Sequence, residues 1–537
     1  MRNMFYVVDN QLYVAQMNDL IHIMCMLTFF LSAIDYFCIN KNYYMSITTL
    51  VLNIGIVAAI LTLAIAFLLK LHKSYLMTFF QSFCGVLFIF SGWVKAIDPM
   101  GTAFKMEQYF GEFESVFSQT WFSFIAPVFP MLSNISIWFS VGMIVFEIVL
   151  GVMLLLGYKP KLTAWLFFGL VVFFTILTGF TFMTGYVPAG VNFFDFGNWG
   201  AYKASNMKVT DCGCFGDFIK LEPRISFFKD LALLVPSIYF VERSKLMHQL
   251  LDNKKSGWIV FASNAILIGY CLYNFVWTEP HIDFRPFKNG ANIAAQRKAE
   301  DDAQAGVKIT AFSIKDLTSG KVIEVPYDQY MKEAEKYGDD KHWEVLEQIK
   351  TEPSIPRTKV SEFEITDFDG VDFTDMFLAN PKNNFMVISP KIKFETESVK
   401  SIVQDSVFIV DTTQVSDKNP PQKRFLKLMN KEVTKTNFVW PASFISDLKA
   451  MKPILDGAQS EGNEVSVVIG GISKEAAEDL AIETGIKATY LTADDILLKT
   501  IIRSNPGLVL WKNGTILQKW HKNQLPAYES IRSTFLK

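Results

Sequence analysis

Cysteine stops at residue 271. All six thiols (Cys25, Cys38, Cys84, Cys212, Cys214 and Cys271) precede the last 266 residues, so nothing in that stretch can exchange a disulfide by itself. A basic excess is also missing: 51 Lys and Arg against 53 Asp and Glu leave a formal net charge of −2. That balance argues against a nucleic-acid binder, whose footprint is a basic stripe. Charge of either sign is scarce early in the chain. Residues 1–278 carry 17 basic and 15 acidic side chains, about 12% charged, against about 28% of the remaining 259. A cleavable signal is not expected either, because the first 19 residues hold one Arg and no small-residue cleavage site follows a short apolar core.

Long apolar runs fill the charge-poor part. A helix crossing a hydrocarbon core of about 30 Å needs about 20 mostly apolar residues, since unpaired backbone groups there cost several kcal/mol each. Seven segments meet this: 20–39, 46–69, 76–94, 135–157, 162–185, 225–241 and 257–277. Connections after the second, fourth and sixth hold Lys70, Lys73, Lys159, Lys161, Arg243, Lys245, Lys254 and Lys255. With Arg2 that makes nine basic residues in about 44, against seven in about 86 on the other side. The positive-inside rule then sets the N terminus in the cytoplasm of an inner-membrane protein, with loops 95–134 and 186–224 and everything after Trp277 outside. Trp93, Trp121, Trp199 and Trp277 suit an interfacial belt or ordinary core packing.

Cys25 and Cys84 fall within spans and read as small apolar packing residues. Cys212 and Cys214 stand apart, in Thr210-Asp-Cys-Gly-Cys-Phe-Gly-Asp217 on the oxidising side. A Cys-Gly-Cys ring is tight, which favours an exchange-competent bond over an inert staple, and Gly213 tolerates unusual dihedrals. Cys38 and Cys271 are alternative partners that would make the loop structural. Two thiolates fall short of a zinc site, and no spacing demands Asp211, Asp217 or His281 as further ligands. Glu147 lies midway along a span, where a carboxylate marks a proton path or an internal pair. Lys229 with Asp230, and Lys95 with Asp98, are expected to pair near the outer surface. Thr175, Thr178 and Thr181 read as helix-packing or back-bonding residues.

Phe90-Ser-Gly-Trp-Val-Lys-Ala-Ile-Asp-Pro-Met-Gly-Thr-Ala-Phe-Lys-Met-Glu-Gln-Tyr-Phe110, followed by the Asp-Cys-Gly-Cys-Phe-Gly-Asp loop, resembles the DoxX/MauE group of membrane proteins in the form found in Bacteroidota. The resemblance covers residues 76–241 and implies a four-helix membrane bundle. Through the MauE branch, named after methylamine utilisation, it implies disulfide formation or electron transfer for periplasmic proteins. Through the DoxX branch it implies a link to quinone-dependent sulfur oxidation, and the group is too widespread for either named pathway to carry over to this chain. Two N-terminal spans and a long C-terminal extension depart from the minimal four-helix pattern. Beside the resemblance, a thiol pair needs an electron acceptor, and a bundle with inward polar groups could hold a membrane quinone.

After Trp277 comes a proline-bounded strip, Glu279-Pro-His-Ile-Asp-Phe-Arg-Pro-Phe287. Residues 307–312 and 321–325 flank Asp316-Leu-Thr-Ser-Gly320 as a hairpin, and 327–337 and 342–350 read as helices or tethers. Beyond that, strand 385–389 and an irregular polar insertion (390–441) lead to alternating helices and strands that end in a hairpin at Asn513-Gly514. Ser504-Asn505-Pro506 through Gly514 is similar to the cis-proline region of thioredoxin-like domains, which predicts a cis Asn505-Pro506 bond and a binding surface around those two residues. Where such a domain presents Cys-x-x-Cys, this chain has Ser389-Pro-Lys-Ile-Lys393.

The expected architecture is thus an α-helical polytopic bundle of about seven spans with a four-helix DoxX-like core, plus a C-terminal α/β thioredoxin-like domain. Its parts are two N-terminal helices (1–75), the membrane domain (76–278), a linker with a hairpin (279–360) and the α/β domain (361–537). Two functions compete. One is a redox protein in which Cys212 and Cys214, assisted by Glu147, pass electrons between exported proteins and a membrane carrier. The other is a scaffold whose terminal domain binds exported partners.

Overall fold

A computed structural model describes residues 46–411 and 422–536. The expected span 20–39, with Cys25 and Cys38, lies outside the described residues. The chain divides into two units between Arg285 and Pro286.

In the first unit the helices begin where capping chemistry directs. Helix α1 (Ile47–Leu63) starts behind Ser46, whose hydroxyl accepts from the Thr49 N–H, and runs on through a π turn to Leu68. Ser74 caps α2 (Tyr75–Ile97) in the same way. Asp98 then accepts from the Gly101 N–H at 3.0 Å and Pro99 takes the first helical position, so α3 (Pro99–Ser118) follows at once. The segment 95–134, expected as a loop, is therefore mostly helical: α3 is followed by the short α4 (Val128–Asn134). Helix α5 (Ser136–Leu156) ends at Gly157, with φ +66°. Next come α6 (Pro160–Thr184), α7 (Pro223–Glu242) and α8 (Asn253–Leu272), which continues through a π turn to Trp277.

Among the described residues, five helices are long and apolar enough to cross a membrane: Ile47–Leu68, Tyr75–Ile97, Ser136–Leu156, Pro160–Thr184 and Asn253–Trp277. Helix α7, expected as a span, is helical, but Arg224, Lys229, Asp230 and Glu242 keep it outside that apolar set. Leu52, Ile60, Phe67, Ile176, Trp258 and Ile266 are exposed on the helices, as hydrocarbon-facing side chains would be.

The tightest crossing joins α2 to α5, and it is built from missing side chains. A Cβ on Gly151 would stand 2.7 Å from both the Gly85 carbonyl oxygen and Ile89 Cγ1, while one on Gly85 would meet Leu155 at 2.8 Å. At one end of the bundle Gln81 donates to the Leu154 carbonyl at 3.1 Å and accepts from the His248 N–H at 2.9 Å. The basic connections lie at this end, and Lys73 reaches the Lys245 carbonyl. At the opposite end Asn274 donates to the Ala96 carbonyl at 3.0 Å, and buried Arg285 pairs with Glu279 at 3.0 Å and Asp283 at 2.7 Å.

The second unit opens with α9 (Ile293–Ala305) and an antiparallel three-stranded sheet of order β2-β1-β3, from β1 (Ile309–Asp316), β2 (Val322–Pro326) and β3 (Trp343–Lys350). The hairpin at Asp316–Gly320 forms as its sequence predicts. Residues 327–337 form two short helices, α10 (Tyr327–Lys332) and α11 (Ala334–Tyr337). Residues 342–350, expected as helix or tether, form β3 instead, because the second edge of β1 is open and offers a full ladder from Ile309 to Asp316.

A short helix, α12 (Thr374–Leu378), precedes a five-stranded sheet. Its strands are β4 (Asn383–Ser389), β7 (Glu464–Ile469), β8 (Thr489–Leu491), β9 (Gly507–Lys512) and β10 (Thr515–His521), with β5 (Glu395–Asp411) and β6 (Gln422–Val439) as a separate antiparallel ribbon. That ribbon corrects the expectation of an irregular insertion at 390–441. The sheet order is β10-β9-β4-β7-β8; β4, β7 and β8 run parallel, and β9 is antiparallel to β4. Helices α13 (Ala442–Ser460), α14 (Lys474–Thr484), α15 (Asp495–Ile501) and α16 (Tyr528–Phe535) complete the unit. Strand β4 is buried on both faces, Phe385 and Val387 in one core and Met386 and Ile388 in the other, which explains its unbroken apolar run. Asn513 and Gly514 adopt φ of +50° and +68°, as a two-residue hairpin loop requires.

The α2–α5 contact predicts that Gly151→Ala lowers the apparent melting temperature of the purified protein by several degrees, through an overpacking cost of about 1–3 kcal/mol. Gly142→Ala on the same helix, where a Cβ meets nothing within 4 Å, leaves it unchanged or raised.

Candidate dithiol site

The loop between α6 and α7 folds back onto the bundle. Ser91, on α2, donates to the Cys214 carbonyl at 2.7 Å, and Lys105, on α3, pairs with Asp211 at 2.6 Å. Gly213 sits between the thiols with φ +62°, and a Cβ there would press on Lys105 Cγ at 3.1 Å. Phe215 and Phe218 pack against Phe90 and anchor the loop's far side. Phe284, in the strip before Arg285, lies against Phe218 with 5.2 Å between ring centroids.

These contacts bring Cys212 and Cys214 together as free thiols with sulfurs 2.6 Å apart. Cys212 is 7% exposed and packs with the core of the bundle, whereas Cys214 is half-buried. The Ser226 hydroxyl lies 2.6 Å from Cys212 Sγ. The hydrogen bond with Cys214 holds the Cys212 thiol below its ordinary range, down to about 7, against the opposing effect of burial; Ser226 and the Lys229 cation add to the lowering. The same contact and burial push Cys214 well above that range. One sulfur of the pair is thus prepared to carry negative charge near neutral pH.

A small cavity of about 50 Å³, room for a few waters, lies behind the pair. Glu147 faces it, as do both cysteines. Its partner is not a backbone group but Lys95, 2.6 Å away and equally buried. Lys95 was expected to pair with Asp98, yet Asp98 caps α3 while the Lys95 side chain turns inward. The register explains this: Gly85 against Leu155 and Gly92 against Ile148 set an antiparallel α2–α5 alignment that brings Lys95 within one turn of Glu147. Lys229 pairs with Asp230 as expected, and Thr178 Oγ1 lies 3.0 Å from Asp230 Oδ2. Thr175, Thr178 and Thr181 bond back to carbonyls four residues earlier.

Ser226, Ser91 and Lys105 escaped the sequence reading. Ser226 stands four residues after Glu222 and one turn before Asp230, so a helical count from Pro223 would have put it on the same face as Asp230. Nothing local marks Ser91 or Lys105, which meet the loop only through tertiary packing. Asp211, Asp217 and His281 do not gather: they contact Lys105, Lys220 and Tyr270 in turn. Among the described residues no group of three or more His, Cys, Asp or Glu stands ready for a metal ion. Cys271 is buried and free. In the second unit the Asn505-Pro506 bond is cis. Asn505 accepts from the Ser389 hydroxyl at 2.7 Å and donates to the Lys391 carbonyl at 2.6 Å.

Apolar helices that carry buried ion pairs beneath an extramembrane loop define a polytopic helical membrane protein. Residues 73–190 match the family model described as Methylamine utilisation protein MauE. That stretch runs from the start of α2 past α6; it contains Ser91, Lys95, Glu147 and Thr178 and stops before Cys212. No curated protein and no solved structure matches the chain.

Alkylation of Cys212 by iodoacetamide, followed by mass spectrometry of its peptide, is expected to rise with pH through a midpoint near 7, because the thiolate is the reactive form. Ser226→Ala raises the midpoint, by roughly the one pH unit that about 1.4 kcal/mol of hydrogen bonding to a charged group supplies. Glu147→Gln leaves Lys95 buried without its counter-ion and destabilises the bundle by about 3–5 kcal/mol, read as lost folded yield in detergent. The paired change Lys95→Met with Glu147→Leu restores that yield.

Proposed function

We propose that the chain is a membrane-anchored thiol–disulfide exchange protein acting on exported partners. The observation that carries this reading is the Cys212–Cys214 pair itself: two thiols brought into contact in an extramembrane loop, with the Ser226 hydroxyl on Cys212 and the Lys229 cation acting on both. Disulfide exchange conserves electrons between the two thiol pairs and needs no other acceptor. The cavity of about 50 Å³ is far below the roughly 300 Å³ of typical ligand pockets. No step is routed through a membrane quinone.

Orientation supports the reading. Lys70, Lys73, Lys159, Lys161, Arg243, Lys245, Lys254 and Lys255 gather at the end opposite the cysteines, which by the positive-inside rule is the cytoplasmic end of an inner-membrane protein. The chain leaves the helical unit through the strip whose Phe284 packs on Phe218, four residues after Cys214. On this reading the thiols and the start of the second unit share the periplasmic face.

We read the five-stranded sheet as thioredoxin-like. Supporting this are three parallel strands with β9 antiparallel beside β4, the cis bond before β9, and Ser389 at the end of β4. With no thiol of its own, that unit serves as a docking module for the partner, through the surface around Asn505 and Pro506.

The competing scaffold reading, favoured by the thiol-free second unit, is separated by replacing Cys212 and Cys214 with Ser. The expected outcome is an unchanged melting temperature together with a shifted redox state of exported thiol proteins, seen by alkylation gel shift. An unfolded double variant means that the pair is a staple. A folded variant with no redox change means that the chain is a scaffold.

A further inference from the structure

Resting on the exchange reading, the geometry assigns unequal roles to the two sulfurs: we propose that the partner forms its mixed disulfide with Cys214, and that Cys212 is the sulfur that leaves as the thiolate. Exchange proceeds by attack of a thiolate on one sulfur of a disulfide, and access decides which sulfur is attacked. Cys212 is packed among the apolar residues of the bundle, 7% exposed, with Ser226 Oγ 2.6 Å from its sulfur. Cys214 keeps partial exposure, and its carbonyl is held by Ser91, so the loop presents this residue in a fixed position.

Stabilisation of the leaving group falls on the other sulfur. The Ser226 hydroxyl acts on Cys212, whereas the Lys229 ammonium, kept paired by Asp230 with Thr178 beside it, acts on both sulfurs and so leaves Ser226 as the contact that distinguishes them. A leaving thiol that holds its anion well departs faster.

Written out, the step balances. A partner thiolate attacks Cys214 Sγ; the Cys212–Cys214 bond breaks and its electron pair goes to Cys212, which leaves as a thiolate. The partner's second thiolate then attacks the partner sulfur of the mixed disulfide. The bond to Cys214 breaks, and Cys214 takes up one of the two protons the partner released. The partner ends as a disulfide and the chain as one thiol and one thiolate, with one proton left to solvent.

The test uses the full-length wild-type protein in detergent, oxidised at Cys212 and Cys214, then exposed briefly to reduced glutathione and quenched with excess N-ethylmaleimide. Fragmentation of the peptide holding both residues locates each group. The expected product carries glutathione on Cys214 and maleimide on Cys212, at least tenfold over the reverse. A majority of the reverse product overturns the assignment while leaving the exchange reading intact. Failure to form the internal disulfide or any mixed disulfide, with both cysteines simply alkylated, overturns the exchange reading and the assignment with it. Ser226→Ala supplies a second measure: it slows reduction of the internal disulfide by glutathione severalfold without moving the adduct from Cys214, and an unchanged rate counts against the leaving role of Cys212.

Discussion

A lysine and a glutamate buried against each other constrain the rest of the helical unit. Neither Lys95 nor Glu147 could stay charged alone in a low-dielectric interior, where an unpaired ion costs several kcal/mol even after relaxation. Their 2.6 Å contact requires α2 and α5 to approach closely, and the glycines at 85, 92 and 151 permit it. Once that register is set, the end of α2 is fixed. Ser91 then faces the Cys214 carbonyl, Asp98 starts α3, and Lys105 on α3 meets Asp211. The thiol loop is therefore held from two helices whose positions both trace to one crossing.

Charge at the site is kept in neutral pairs. Lys95 with Glu147, Lys229 with Asp230, and Lys105 with Asp211 leave no net charge around the cysteines. Against this balanced background Cys212, with the Ser226 hydroxyl 2.6 Å from its sulfur, is the thiol lowered toward neutral pH. On the proposed exchange reading it is the group whose charge changes.

Much of this was legible in the sequence because its signals are local. Apolar runs gave the helices, Asp316–Gly320 and Asn513-Gly514 gave two hairpins, and Asp-Cys-Gly-Cys marked the loop. Signals were also present but overlooked: Asp98-Pro99 is a cap followed by a first-turn proline, and it announced α3 in what was expected to be a loop. Residues 342–350 misled because Glu, Leu, Gln and Lys favour a helix in isolation, whereas the open edge of β1 pulled them into a strand. The alternation of the 395–439 ribbon was obscured by its polar composition, and its pairing partner lies up to 44 residues away.

By itself the sequence determined the number and place of most elements, the absence of thiols from the second unit, and the presence of a cysteine pair outside the apolar runs. All of these follow from hydrophobic periodicity and residue identity. Only the tertiary structure decided that Lys95 belongs to Glu147 rather than Asp98, that Ser226 reaches Cys212, and that Cys212 is buried while Cys214 is only half-buried. Those outcomes depend on helix register and on which chain segments pack together across tens of residues, and no local pattern encodes that.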